Sequence, residues 1–241
     1  MLFRSYVKKG IEVLDNDNGF FMMCEGGKID WACHANDAGA TVTDTLALAD
    51  AVQEAVDFAK EHPKETLIIV TGDHETGGLT IGFAGTDYDT YLDCLENQAI
   101  SYAQFDEQYV NKYKENGTSF EDAMKDVEKL FGLKLKGDKS DRLVLTDYEV
   151  QRLRTAYELA MTDFNSKNYT QEQYVLYGTY NPFSVTVTHI LNNKAGVDFT
   201  SYSHTGLPVA VFADGAGADA FTGYYDNTDI YNKLAAMLKV K

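Results

Sequence analysis

TLIIVTGDHETGG, Thr66 to Gly78, joins an apolar run to an adjacent Asp73-His74 pair, a further acid and a glycine pair. The run Thr66-Leu-Ile-Ile-Val-Thr71 is short, rich in β-branched residues and bounded by Pro63 and Gly72, which predicts a buried strand. Carboxylate and imidazole at the carboxyl end of such a strand read either as a ligand-bearing turn or as an Asx-type turn with an incidental histidine. Upstream, Gly19-Phe-Phe-Met-Met-Cys24 predicts a second buried strand. Between the two, Leu48, Val52, Ala55, Val56 and Ala59 follow helical spacing within Thr43 to Glu61, with Thr43 or Asp44 as the expected cap. Strand, helix, strand in that order predicts a βαβ unit with a parallel pair. The polar residues after both strands then share one carboxyl edge, where open α/β folds bind their ligands.

The segment after the first strand is EGGKIDWACH, Glu25 to His34. One helical turn there sets Asp30 and His34, four apart, on the same side, with an oxygen and an imidazole nitrogen suited to a metal ion. On spacing alone, an Asp and a His four apart are more often polar surface. A third histidine, His204, lies in a Ser/Thr/Gly loop, TSYSHTG, ahead of the apolar run Pro208-Val-Ala-Val-Phe-Ala213. His62 falls at a helix end, where the dipole favours it, and His189 sits in an apolar stretch; neither is assigned a role.

Leu79 to Ala84 predicts a further short strand, Pro208 to Ala213 a core strand, and Thr228 to Val240 a closing helix. Residues 87–180 differ in character, being tyrosine-rich and charged with helical patterns at Phe120 to Phe131 and Thr146 to Thr162, and read as a mainly helical insertion. Lys136 to Ser140 is a plain loop without EF-hand spacing. The 241 residues suffice for one large domain or two small ones. A formal charge of −16 argues against nucleic acid or an anionic membrane as a partner. No run is long enough to span a membrane, and the first residues have no signal-peptide pattern. Cys24, Cys33 and Cys94 form no CxxC pair and define no thiolate metal site.

Taken together, GFFMMCEGGKIDWACHANDA, LIIVTGDHETGG, YSHTG and the downstream FTGYYDNTDIYNKLAAML resemble the C-terminal half of an alkaline phosphatase. The resemblance covers residues 1–86 and 181–241 and implies a three-layer α/β/α sandwich of the alkaline phosphatase type, incomplete here and carrying the 87–180 insertion. It implies that Asp30, His34 and His204 hold one zinc, that Asp73 and His74 supply part of a second, and that Glu25 is a magnesium ligand. Trp31, beside a zinc aspartate, then either tunes the surroundings of the phosphate or packs over the strand end. The implied reaction is phosphate monoester hydrolysis through a phosphoserine, with two zincs clamping the phosphoryl group.

In the family, the nucleophilic serine of an Asp-Ser-Ala type segment precedes these motifs. So do the aspartate bridging the second zinc and magnesium, the Thr or Ser on magnesium, and the arginine that clamps phosphate. These 241 residues contain no such segment. The expectation is therefore a C-terminal fragment with one complete zinc site and no catalytic residue of its own, inactive when isolated. Its exposed sheet edge points to a homodimer or other self-association. Alternatives are a related metallo-phosphodiesterase or phosphotransferase, or an inactive metal-binding module. The resemblance also implies a periplasmic or extracellular location.

Overall fold

The computed structural model describes residues 2–163 and 165–240. In chain order the helices are α1 (Leu2–Leu14), α2 (Gly27–His34), α3 (Ala38–Glu61), α4 (Tyr102–Phe105), α5 (Asn111–Asn116), α6 (Phe120–Phe131), α7 (Asp147–Ala160), α8 (Gln171–Tyr177), α9 (Pro182–Ala195) and α10 (Asp229–Leu238). The strands are β1 (Leu67–Val70), β2 (Glu75–Thr76), β3 (Thr80–Ile81), β4 (Val197–Asp198), β5 (His204–Thr205) and β6 (Phe212–Gly215). They form three two-stranded sheets, β1 with β6, β2 with β5 and β3 with β4. The chain divides into two compact units: Met1–Gly26, Thr45–Glu75 and Thr205–Lys241 make the first, Gly27–Asp44 and Thr76–His204 the second.

In the first unit β1 pairs antiparallel with β6, Leu67 opposite Gly215 and Val70 opposite Phe212. Gly215, at φ +94°, is required there, because a Cβ would lie 2.2 Å from the Thr66 carbonyl oxygen. This corrects the expected parallel βαβ pair. Gly19 to Cys24 joins no ladder among the described residues, and the one strand paired with β1 is β6. The segment keeps a strand-like alternation: Phe20 rests edge-on against Phe58, while Phe21 and Met23 are 60% and 83% exposed. The expected core strand Pro208 to Ala213 is also corrected. Pairing starts only at Phe212, itself exposed, after a stretch in which Pro208 has no N–H to donate. Among the described residues of this unit the buried apolar ones are few: Val7, Ala51 and Phe221.

The second unit has a core of its own, built around α9. That helix is buried on nearly all sides although half of its residues are polar, and Phe183, Val185, Val187, Ile190, Leu191 and Ala195 are fully buried. Its buried hydroxyls return to the helix backbone, Thr186 donating to the Pro182 carbonyl at 2.7 Å and Thr188 to that of Val185 at 3.1 Å. Asn181 caps the helix ahead of Pro182, and left-handed Gly196 ends it. On α6 the stripe Phe120, Ala123, Met124, Val127, Leu130 and Phe131 is buried, as the helical spacing of Phe120 to Phe131 predicts. Thr146 and Glu149 close a capping box on α7. The expected strand near Leu79 is β3, which pairs antiparallel with β4. The expected start of α3 is corrected: it begins at Ala38, not near Thr43, because Asp37 accepts the Ala40 N–H at 2.9 Å and so caps it.

A π-helical turn, Asp106–Val110, links α4 to α5 and turns Asp106 into the core. Its carboxylate accepts a hydrogen bond from Ser184, and burial pushes its pKa up to about 6. The raised folded-state value means that the neutral acid is the form the fold favours. The stability this group contributes is therefore present at pH 4 and lost as pH rises toward about 6, on the order of 2–3 kcal/mol. Urea unfolding across that window is expected to show this loss in the wild type and a flatter profile in Asp106→Asn; parallel profiles would contradict the assignment.

Candidate metal centre

Helix α2 starts on the second glycine of the Gly26-Gly27 pair and lasts only two turns, enough to bring Asp30 and His34 side by side. The His34 Nε2 lies 3.4 Å from Asp30 Oδ1. The other ring nitrogen, Nδ1, is 2.7 Å from the Tyr202 carbonyl oxygen, which can only accept, so Nδ1 carries the proton. In the neutral ring, Nε2 then turns a lone pair toward a carboxylate oxygen. Two acceptors face each other, an arrangement that a shared cation resolves, and a carbonyl-anchored imidazole is the usual form of a metal-ligating histidine.

Asp30 is itself held, accepting the Thr76 hydroxyl at 2.6 Å on Oδ1. His204 arrives from β5. Its ring centroid is 5.1 Å from that of His34, and a ring nitrogen lies within 4.8 Å of an Asp30 carboxylate oxygen. Within the second unit one His34 nitrogen thus stands against an Asp30 carboxylate oxygen, and a His204 ring nitrogen lies within 4.8 Å of a carboxylate oxygen of the same residue, donors of the kind that suit a borderline divalent ion.

The convergence depends on a clamp that sequence reading missed. Asn36, buried with φ +54°, donates through Nδ2 to the carbonyls of Cys33 at 2.9 Å and Ser201 at 2.8 Å, while Asn192 donates to its own carbonyl at 2.7 Å. The end of α2 is thereby tied to the loop that bears His204. Gly77 completes the joint: its carbonyl accepts Thr200 and Ser201 N–H and its own N–H meets the Ser203 carbonyl. A side chain at Gly77 would meet the Cys33 carbonyl at 2.7 Å. Asp37, fully buried, takes hydrogen bonds from Gln98 and the Tyr102 N–H as well as capping α3, and burial pushes its pKa up.

The remaining candidate residues are placed as follows. Asp73 and His74 sit in the turn after β1 in the first unit, with His74 Nε2 3.3 Å from Asp73 Oδ2 and the Asp73 carbonyl accepting Asn227. Glu75, next in that turn, takes the Thr205 hydroxyl. Glu25 is exposed in an irregular segment of the first unit. Trp31 is 59% exposed, with the Lys28 ammonium 3.8 Å from its ring centre. His189 lies within the second unit's packing, its Nε2 3.4 Å from the Ala35 carbonyl, and burial lowers its pKa to about 4. His62 stacks on Phe58. The three cysteines are unbridged. No helix among the described residues is long and apolar enough to cross a membrane.

The chain is one of mixed helices and small sheets that carries a candidate metal site. Residues 3–240 match the family model described as alkaline phosphatase. The chain belongs to the alkaline phosphatase family. Alkaline phosphatase 3 of Bacillus subtilis (strain 168) is 31% identical over 230 residues, 95% of this chain and 42% of the relative. Alkaline phosphatase 4 of the same organism is 29% identical over 224 residues, 93% and 40% respectively. Among solved structures, the cold-active alkaline phosphatase from the psychrophile Shewanella sp. superposes with a TM-score of 0.75 at 26% identity, covering 98% of this chain and 50% of that one. The chain thus spans about half or less of the length of these relatives.

The clamp yields a separable prediction. Asn36→Gly keeps the left-handed backbone accessible and removes the side-chain hydrogen bonds, whereas Asn36→Ala also strains the backbone. Denaturant titration is expected to show losses of roughly 1–3 kcal/mol for Gly and about 1 kcal/mol more for Ala. Equal stability of both variants and wild type would refute the clamp.

Proposed function

We propose that this chain supplies the zinc-ligating part of a phosphomonoesterase site, with Asp30, His34 and His204 as the ligands of one zinc. The observation that carries the reading is the approach of the Tyr202-anchored His34 ring and of a His204 nitrogen to the Asp30 carboxylate, in a member of the alkaline phosphatase family. When bound there, zinc supplies a Lewis acid toward a phosphoryl oxygen and toward water. The chain's own residues do the orienting. Tyr202 fixes the His34 tautomer, Thr76 holds one Asp30 oxygen, and the Asn36 clamp sets α2 against the His204 loop.

Asp73 and His74 are the partial ligands of a second zinc in this reading, Glu25 is a magnesium ligand, and Trp31 borders the phosphate. The substrate is a phosphate monoester, hydrolysed through a phosphoserine. These 241 residues contain no Asp-Ser-Ala segment, so the chain by itself is inferred to bind metal without turning over substrate. The complete fold in this reading is a three-layer α/β/α sandwich, with residues 87–180 a helical insertion upon it. Support for a covering partner comes from the first unit, where every residue of β1 is only half-buried and Leu2, Tyr6, Val13 and Phe21 are exposed. Either further polypeptide of the same enzyme or a second copy of this chain would bury that surface. The family also supports a periplasmic or extracellular location.

Zinc titration against a competing chelator tests the ligand set. The wild type is expected to bind zinc at one tight site, lost in His34→Ala and His204→Ala and weakened roughly tenfold or more in Thr76→Val. Turnover of 4-nitrophenyl phosphate is expected to be negligible for all of them. Wild-type affinity no better than that of His204→Ala would overturn the ligand assignment, and normal turnover by the zinc-loaded chain would overturn the inactivity.

A further inference from the structure

Within the second unit, the backbone carbonyl of Tyr202 accepts the His34 Nδ1–H at 2.7 Å, while the side chain of the same residue reaches a different element, α8. A helix of seven residues leaves its last carbonyls without a donor of its own. Those of Tyr174 and Tyr177 accept the Gly178 and Tyr180 N–H groups. Those of Leu176 and Val175 take the Tyr202 phenol, at 2.8 and 3.3 Å. The ring fits that helix end closely. Gly178 stands there at φ +58°, and a Cβ on it would lie 2.9 Å from the Tyr202 Cγ. Tyr174 and Tyr180 lie edge-on and tilted against the same ring at 6.4 and 6.2 Å, and His189 of α9 stacks on it at 6.1 Å.

We propose that the Tyr202 side chain is a positioning residue for His34, transmitting the docking of α8 to that ring's tautomer and so to its metal affinity. This rests on the metal-site reading and gives the helical residues 87–180 a part in it. Thr200 to Ser203 have no regular secondary structure, so the direction of the Tyr202 carbonyl depends on what its peptide is tied to. One end of that peptide is held at the Ser203 N–H by the Ser201 hydroxyl, 2.9 Å away. The other end is held by the phenol lodged on α8. Without the hydroxyl the ring is free to leave the helix end, and the carbonyl that it steadies turns off the His34 Nδ1–H. An imidazole that loses this acceptor no longer keeps its lone pair on Nε2, the nitrogen that faces Asp30. Coupling of this kind is reciprocal: a metal ion that requires the fixed ring also holds α8 in place, by the same factor.

Two variants test this. Tyr202→Phe keeps the ring and removes the hydroxyl. Tyr157→Phe removes a phenol-to-carbonyl bond of the same kind, to Thr118 at 2.6 Å, which joins α7 to the turn before α6. Zinc titration against a competing chelator is expected to show affinity weakened roughly three- to tenfold in Tyr202→Phe and unchanged in Tyr157→Phe, although both lower the urea midpoint. Nitrogen-15 NMR of the metal-free protein is expected to find the neutral His34 ring as the Nδ1–H form in the wild type and as a mixture of both forms in Tyr202→Phe. In hydrogen exchange, zinc is expected to slow the amides of Tyr174 and Gly178, which bond to the carbonyls of Thr170 and Tyr174, and to slow them less in Tyr202→Phe. Wild-type zinc affinity and tautomer in Tyr202→Phe, or equal weakening of zinc binding in Tyr157→Phe, would overturn the proposal and leave the ligand set in place. A wild type without zinc affinity, whose His34 tautomer still follows the Tyr202 hydroxyl, removes the metal reading and keeps the positioning of His34.

Discussion

The buried Asn36 side chain is the constraint on which the metal centre depends. A two-turn helix has little stability of its own, since most of its backbone groups lie within a turn of one end or the other. Helix α2 holds position because its carboxyl end is fastened by Asn36 to the Cys33 and Ser201 carbonyls and by Asn192 to Asn36 itself. The Gly77 backbone binds the same loop at Thr200, Ser201 and Ser203. With both ends of that loop's path fixed, the Tyr202 carbonyl meets His34 and His204 stands beside it. Preorganisation of this kind lets weak individual contacts produce a defined donor set.

The two units differ in how their apolar residues are used. The second buries a continuous set around α9, and the polar residues of that helix are satisfied by back-bonding to its own carbonyls, by Asp106 and the Asn36 carbonyl, and by the Lys194 and Glu149 ion pair at 3.0 Å. The first presents a β-branched strand with one ladder neighbour among the described residues and leaves several large apolar side chains exposed. Burial of one such side chain is worth about 1.5–3 kcal/mol, so a covering surface would stabilise this unit substantially. That asymmetry is what the proposed further polypeptide or second copy answers.

Elements whose pattern is local were legible in the residues. The stripe from Phe120 to Phe131 and the turn that pairs Asp30 with His34 each need only nearest-neighbour geometry, and both form as expected. The pairing of β1 was not legible, because an apolar run states that a strand is buried and says nothing of which distant segment meets it; Phe212–Gly215 did so, antiparallel. The start of α3 was misplaced for a related reason. Asp37 was available as a cap, but its fitness depends on burial under Gln98 and Tyr102, far along the chain. Asn36 gave one faint signal, an Asn-Asp pair between two helices, which marks a turn without disclosing what the turn holds.

X-ray absorption spectroscopy of the zinc-loaded chain tests the central claim most directly. The account predicts a first coordination sphere of nitrogen and oxygen at about 2.0–2.1 Å, with the multiple-scattering pattern of two imidazoles, falling to one imidazole in His34→Ala or to loss of bound zinc. A sulfur scatterer at about 2.3 Å, or a two-imidazole spectrum unchanged by substitution of both His34 and His204, would contradict it.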